Sequence, residues 1–263
     1  MVEFCSLFSG SSGNASFIKA GDTRILIDCG GSGTQIEAAL KEMGEEPSEL
    51  DFIFITHEHI DHIKGAGILS RRYDIPIYAT RGTWQGMISR LGKISYDNIF
   101  YIQGGVPFAA NDAVVMPFST PHDANESVGF TIEHNGSRVS VATDIGIMNR
   151  TVYDNIKKSD IVLLESNHDV DMLMNGPYSY ELKMRILSRL GHLSNDLCAK
   201  TSAHLLTEGV KHIVLAHLSS DNNRPDAAYT ASENSILSTG AKIGRDITLE
   251  VAPRYTPSKR YTE

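Results

Sequence analysis

Residues 52–65 read FIFITHEHIDHIKG. The apolar run Phe52–Ile55 has the length and the Phe/Ile content of a buried strand. Directly after it come His57, His59, Asp61 and His62. In an extended segment His57 and His59 point to the same side. Two imidazoles so placed can hold one cation at ~2.0–2.1 Å each. Asp61 and His62 follow where the chain turns into a helix, and their directions diverge from the first pair. They are candidate ligands of a second ion. The competing reading is a polar loop that caps a helix, but HxHxDH at the end of an apolar strand favours metal.

Four ligands are too few for two ions, so partners are expected elsewhere. Strand-like runs end again and again in a His or an acid: VVMPFSTP before His122, VSVAT before Asp144, IVLLE at Glu165, IVLA before His217. Strand ends of α/β sheets converge on one rim, where sites are built. His122 is a candidate third ligand of the first ion, Asp144 a bridge between ions, and His217 a ligand of the second. Singly each has a plainer alternative: a loop residue, a turn former before Gly146, a cap.

The rest of the chain frames this cluster. The chain has 263 residues, 41% hydrophobic and 21% charged, an ordinary globular balance. The formal charge of −8 disfavours polyanion binding over the whole surface, though not at a local basic patch. No apolar run reaches the ~18 residues of a membrane span, and MVEFCSLFSGSSGN lacks the form of a signal peptide. The expectation is a cytoplasmic protein without a membrane partner. Cys5, Cys29 and Cys198 form no framework and read as buried thiols. No linker or repeat divides the chain, so residues 1–263 are expected to form a single domain. Short strands alternate with helical patterns at about 62–73, 81–91, 179–190, 194–208 and 225–239, and IEHNGSRV carries an Asn-Gly hairpin signal. The fold class is layered α/β.

THEHIDH, His122, Asp144 in ATDIG and His217 in AHLS together resemble the ligand set of the metallo-β-lactamase fold hydrolases. The resemblance runs nearly end to end and implies an αββα sandwich: two mixed β-sheets flanked by helices, with a dinuclear site at one edge. Asp28 in ILIDCGG matches the family's early buried Asp, a structural residue. His59 stands where the superfamily's flavodiiron oxygen reductases carry Glu, which implies hydrolysis. An Asp at 144 points to the phosphoesterase and thioesterase branch. SLFSGSSGN, ESNHD and GHLSN resemble the YycJ subgroup, also called WalJ or VicX, whose members are regarded as DNA exonucleases acting from 5′ ends. RLGHLSND resembles the loop of the tRNA 3′-processing endonuclease branch in which a His donates the proton to the leaving group, which implies that role for His192, with Glu165 at the place of the Glu that orients it. Asp61 would also orient the nucleophile from its seat on the second metal. His168 stands where Tyr is expected in that subgroup, so it is not counted as a ligand.

The implied cofactors are two divalent metal ions, Zn or Mn, since imidazole and carboxylate suit both. The implied partner is DNA; the sequence names no protein partner and no oligomeric state. The alternative is a small-molecule hydrolase of a thioester, lactone or cyclic phosphodiester; a third reading is a scaffold without catalysis. Two substrate features stay open. The loop at 9–14, SGSSGN, is either a phosphate nest or a tight connection. Arg71, Arg72, Arg81, Arg90, Lys93, Lys183, Arg185, Arg189 and the tail RYTPSKRY are either a phosphate rim or solvated faces. His134, His204 and His212 are expected to be surface or packing residues.

Overall fold

The first strand, β1 (Val2–Phe8), pairs antiparallel with β2 (Ala15–Ala20), and β2 pairs antiparallel with β3 (Thr23–Ile27). After β3 the chain enters helix α1 (Gly33–Glu42). Parallel β4 (Phe52–Phe54) follows, then α2 (Ile60–Ile63) and α3 (Ala66–Tyr73). Parallel β5 (Ile77–Thr80), α4 (Arg81–Met87) and parallel β6 (Ile99–Ile102) complete this run. The chain's last strand, Tyr261–Thr262, adds antiparallel to the free edge of β1. These seven strands are one mixed sheet. The second sheet also has seven strands. Three form an antiparallel ribbon, β7 (Phe108–Ala110), β8 (Ala113–Ser119) and β9 (Val128–His134). The other four, β10 (Ser137–Ala142), β11 (Ile161–Glu165), β12 (His212–Ala216) and β13 (Thr248–Val251), are parallel. This is a computed structural model, and it describes residues 1–263.

Backbone contacts divide the chain into two units: Met1–Ser119 with Ala124–Ser137 and Pro253–Glu263, and Thr120–Asp123 with Arg138–Ala252. In the first unit, α1, α3 and α4 bury Ile36, Leu40, Leu69, Trp84 and Met87 against Leu7, Phe17, Leu26, Ile53 and Ile77 of the sheet. On the sheet's other face Phe54 meets Phe108 and Phe130, at centroid distances of 5.7 and 5.5 Å. Helix, sheet and sheet are thus stacked in the order expected. In the second unit β11 is buried along its length, as a central parallel strand must be. Helices α5 (Arg150–Ile156), α6 (Val170–Asn175), α7 (Tyr180–Ile186), α8 (Asn195–Thr207) and α9 (Pro225–Leu237) accompany these strands, and α9 packs on β13.

Several local expectations need correction. The helix read over 62–73 is two helices. Gly65 interrupts it by donating its N–H to the Cys29 carbonyl at 2.7 Å, where a Cβ would lie 2.6 Å from the Gly31 oxygen. The helices read over 81–91 and 179–190 end early, at Met87 and Ile186. α8 and α9 lie where the pattern places them, with Ser194 accepting from Leu197 N–H as N-cap. α1, α5, α6, β6, β7 and the closing strand were not anticipated. Asn135 and Gly136 take φ of 49° and 86°, the positive pair that a type I′ turn needs.

Candidate metal centre

The first ligand group belongs to the first unit. β4 delivers buried His57, and His59 is the N-cap residue of α2, whose first turn carries Asp61 and His62. His57 Nε2 and His59 Nδ1 face each other at 3.0 Å. Two nitrogens bound to one cation at ~2.0–2.1 Å stand about 3 Å apart, so the donor pair fits an ion. Asp28 lies behind the group at φ 62°. Its carboxylate accepts from His62 Nδ1–H at 2.8 Å and from the Thr56 N–H and hydroxyl, both at 2.9 Å. The acceptor fixes the His62 tautomer and leaves Nε2 as the lone-pair nitrogen, the usual device for a ligating imidazole. Asp28 is therefore structural, as the resemblance implies.

Asn14 was not singled out by sequence and holds this group from the other side. Its N–H donates to the Asp61 carbonyl at 2.8 Å, and its Nδ2 lies 3.4 Å from Asp61 Oδ2 and 3.1 Å from His62 Nε2. In the 9–14 loop the N–H groups of Gly10 and Gly13 bond to Asn14 Oδ1 and to the Gly10 carbonyl. Those amides are spent inside the loop, which supports the tight-connection reading. Only its place at the end of the Gly/Ser loop could have flagged Asn14.

The second group belongs to the second unit. Asp144, Glu165, His192 and His217 bring one ligand atom each within 4.8 Å of one another. Glu165 is fully buried at the end of β11. Its Oε1 accepts Nδ1–H from both His192 and His217, each at 2.8 Å. Its Oε2 accepts the N–H groups of Ile145 and Leu193, at 2.7 and 3.1 Å. His122 donates Nδ1–H to the Gly191 carbonyl at 3.1 Å, and its Nε2 is 3.6 Å from Asp144 Oδ1. His122 and His217 are thus set, like His62, to offer Nε2. Asp144 and His217 share with Asp28 a left-handed backbone, at φ 58° and 56°. Such strain in non-glycine residues gathers at functional sites.

Charge follows from this geometry. Burial works to raise the Glu165 pKa, but His192 and then His217 override it and hold the carboxylate well below its usual range. Burial opposes a charge on His192, yet Glu165 and Asp144 outweigh it and raise its pKa. The pair thus favours an ionised Glu165 and a protonated His192, the form of a placed acid. His168 differs. It is 1% exposed, neither ring nitrogen has a hydrogen-bond partner, and burial lowers its pKa to about 4. It joins no ligand cluster.

The phosphate-rim reading loses five of its cations. Arg71 donates to the carbonyls of Leu91 and Lys93, Arg72 pairs with Glu37, Arg185 pairs with Asp123, and Lys183 donates to the Met174 carbonyl. In the tail, Tyr261 is buried against Phe4 and Arg260 pairs with Glu3 and Glu45. That part of the alternation belongs to a strand. His134 bonds the Asp112 carbonyl and His212 bonds Thr248, away from both ligand groups.

Comparison with known proteins places this geometry. The family described as "Beta-lactamase superfamily domain" matches residues 23–218. The chain belongs to the β-lactamase superfamily. It is 35% identical over 258 residues to the exodeoxyribonuclease YycJ of Bacillus anthracis, covering 98% of each chain. It is 35% identical over 246 residues to the exodeoxyribonuclease WalJ of Streptococcus pneumoniae, covering 93% of this chain and 91% of that one. Among solved structures, the metallo-β-lactamase fold protein YhfI of Bacillus subtilis superposes with a TM-score of 0.71 at 15% identity, over 98% of this chain and 100% of that one. The fold is thus the metallo-β-lactamase fold, and this superfamily member is a YycJ/WalJ-like metal-dependent hydrolase. No helix is long and apolar enough to cross a membrane.

Proposed function

We propose that this protein is a DNA exonuclease acting from 5′ ends, with residues 1–263 as one catalytic domain in the cytoplasm. His57, His59, Asp61 and His62 would serve one dinuclear centre with His122, Asp144 and His217, holding two Zn or Mn ions. Two divalent ions so held supply Lewis acidity at the phosphoryl oxygens and lower the pKa of the attacking water. The chain's own groups do the rest. Asp28 and the Gly191 carbonyl orient His62 and His122. Asp61 orients the nucleophile. Glu165 holds the Nδ1 proton of His192, so the Nε2 proton goes to the departing oxygen.

The observation that carries this reading is the His192–Glu165 pair beside Asp144. An alkoxide leaving phosphorus needs a proton, whereas a thiolate leaving a thioester needs it far less. The names of the YycJ and WalJ relatives supply the substrate class. The test is digestion of end-labelled DNA and RNA by protein reconstituted with Mn²⁺ or Zn²⁺, with metal analysis alongside. Release of mononucleotides from 5′ ends is expected, with two ions per chain. Intact DNA alongside hydrolysis of a generic phosphodiester would sink the nuclease reading. Well under two ions per chain would sink the dinuclear one.

A further inference from the structure

The chain carries 24 Lys and Arg against 32 Asp and Glu. Against that background one cavity of the first unit, about 110 Å³, is lined by Lys64 and Arg254 and by no carboxylate. Phe8, Ser12, Gly13, Gly31, Gln35 and Tyr255 complete its lining. The cavity adjoins the first ligand group through covalent neighbours. Lys64 is the C-cap residue of α2, which carries Asp61 and His62. Gly13 precedes Asn14, which is bonded to Asp61. At Gly13 a Cβ would lie 3.1 Å from the Gly30 carbonyl group, so the loop sits close on the chain beneath it. Lys64 is exposed and has no carboxylate partner, and Tyr255 is 70% exposed.

We infer that this cavity is a substrate-strand subsite: Lys64 and Arg254 take one phosphodiester, and Tyr255 stacks on the adjoining unpaired base. The inference rests on the nuclease reading. The exposed Tyr255 ring stands at the cavity's edge, so the base lies outside while its phosphate reaches the two cations. Aromatic rings beside cations bind unpaired strands in this way, without base selectivity. A cavity of about 590 Å³ has another character: it is lined by Tyr78, Tyr101, Phe108 and Glu126 as well as Arg81, and so mixes charges.

The test is fluorescence anisotropy of reconstituted protein with a short, phosphorothioate-linked, fluorescein-labelled oligothymidylate that resists cleavage. Lys64→Gln and Arg254→Gln are each expected to weaken binding. Each also lowers the slope of log K against log salt by about 0.7, the loss of one phosphate contact on a single strand. Tyr255→Leu is expected to weaken binding roughly five- to hundred-fold, and Tyr255→Phe to retain it. If the wild type binds and the Lys64, Arg254 and Tyr255→Leu variants match it in affinity and slope, the subsite is overturned and the nuclease reading stands. If the wild type itself does not bind, the nuclease reading falls and the subsite with it.

Discussion

Replacing His168 with Phe is expected to flatten the acid sensitivity of this protein's stability. Burial is the main reason that the His168 pKa lies at about 4 rather than 6.5; Glu165 pulls it up, and His192 adds to the lowering. A base whose pKa falls on folding binds its proton better in the unfolded chain. Stability from this group is therefore fully present above pH 6.5, and it is lost as pH falls towards 4. At ~1.4 kcal/mol per pKa unit the whole window is worth about 3–4 kcal/mol. The part lost between pH 7 and pH 5 is about 2 kcal/mol. Phe cannot titrate, and its slightly larger ring adds or removes packing energy equally at both pH values. Other groups titrate in both proteins and cancel in the difference. Urea unfolding at pH 7 and pH 5 reads the effect: the wild type loses about 2 kcal/mol more than His168→Phe over that interval. Equal losses would refute the reasoning, because they would mean that the imidazole is solvated or partnered in the folded state.

Three further outcomes test the site. His192→Ala is expected to lower kcat ~10²–10⁴-fold while metal content stays unchanged, read by turnover and elemental analysis; lost metal would make His192 a ligand. Asp28→Asn is expected to weaken metal binding ~10–100-fold in chelator competition, since His62 loses the acceptor that fixes its tautomer; an unchanged affinity removes that role. Burial raises the thiol pKa of Cys5, Cys29 and Cys198, the last to about 12. A disulfide reagent at pH 8 is then expected to leave the native protein unlabelled and to modify all three thiols after unfolding in guanidinium.

The ligand types were legible because their chemistry is carried by residue identity and by position at strand ends. HxHxDH after an apolar run needs no long-range information, and strand-ending His122, Asp144 and His217 repeat the pattern. Their supports were harder to see. Four hydrogen bonds converge on Glu165 from His192, His217, Ile145 and Leu193, and nothing local to IVLLE announces them. Asn14 is brought to Asp61 by the fold alone. One miss was avoidable: Ser32 and Gln35 form a capping box, S-x-x-Q, ahead of α1. The closing strand was obscured because Arg260 and Tyr261 alternate as a polyanion-binding tail would. The split between α2 and α3 follows from Gly65 lying close to Gly31, a contact between segments distant in sequence.

The shared oxygen of Glu165 has a wider consequence. One atom anchors both His192, the assigned acid, and His217, the assigned ligand. The two histidines therefore draw on a common supply of negative charge and cannot be tuned independently. A change that makes His217 a stronger electron donor to its ion, by raising the negative charge on that oxygen, makes His192 a weaker acid. In engineering terms, Glu165 is a single control with two outputs, so improved turnover and improved metal retention are expected to trade against each other whenever that residue or its two amide donors are altered.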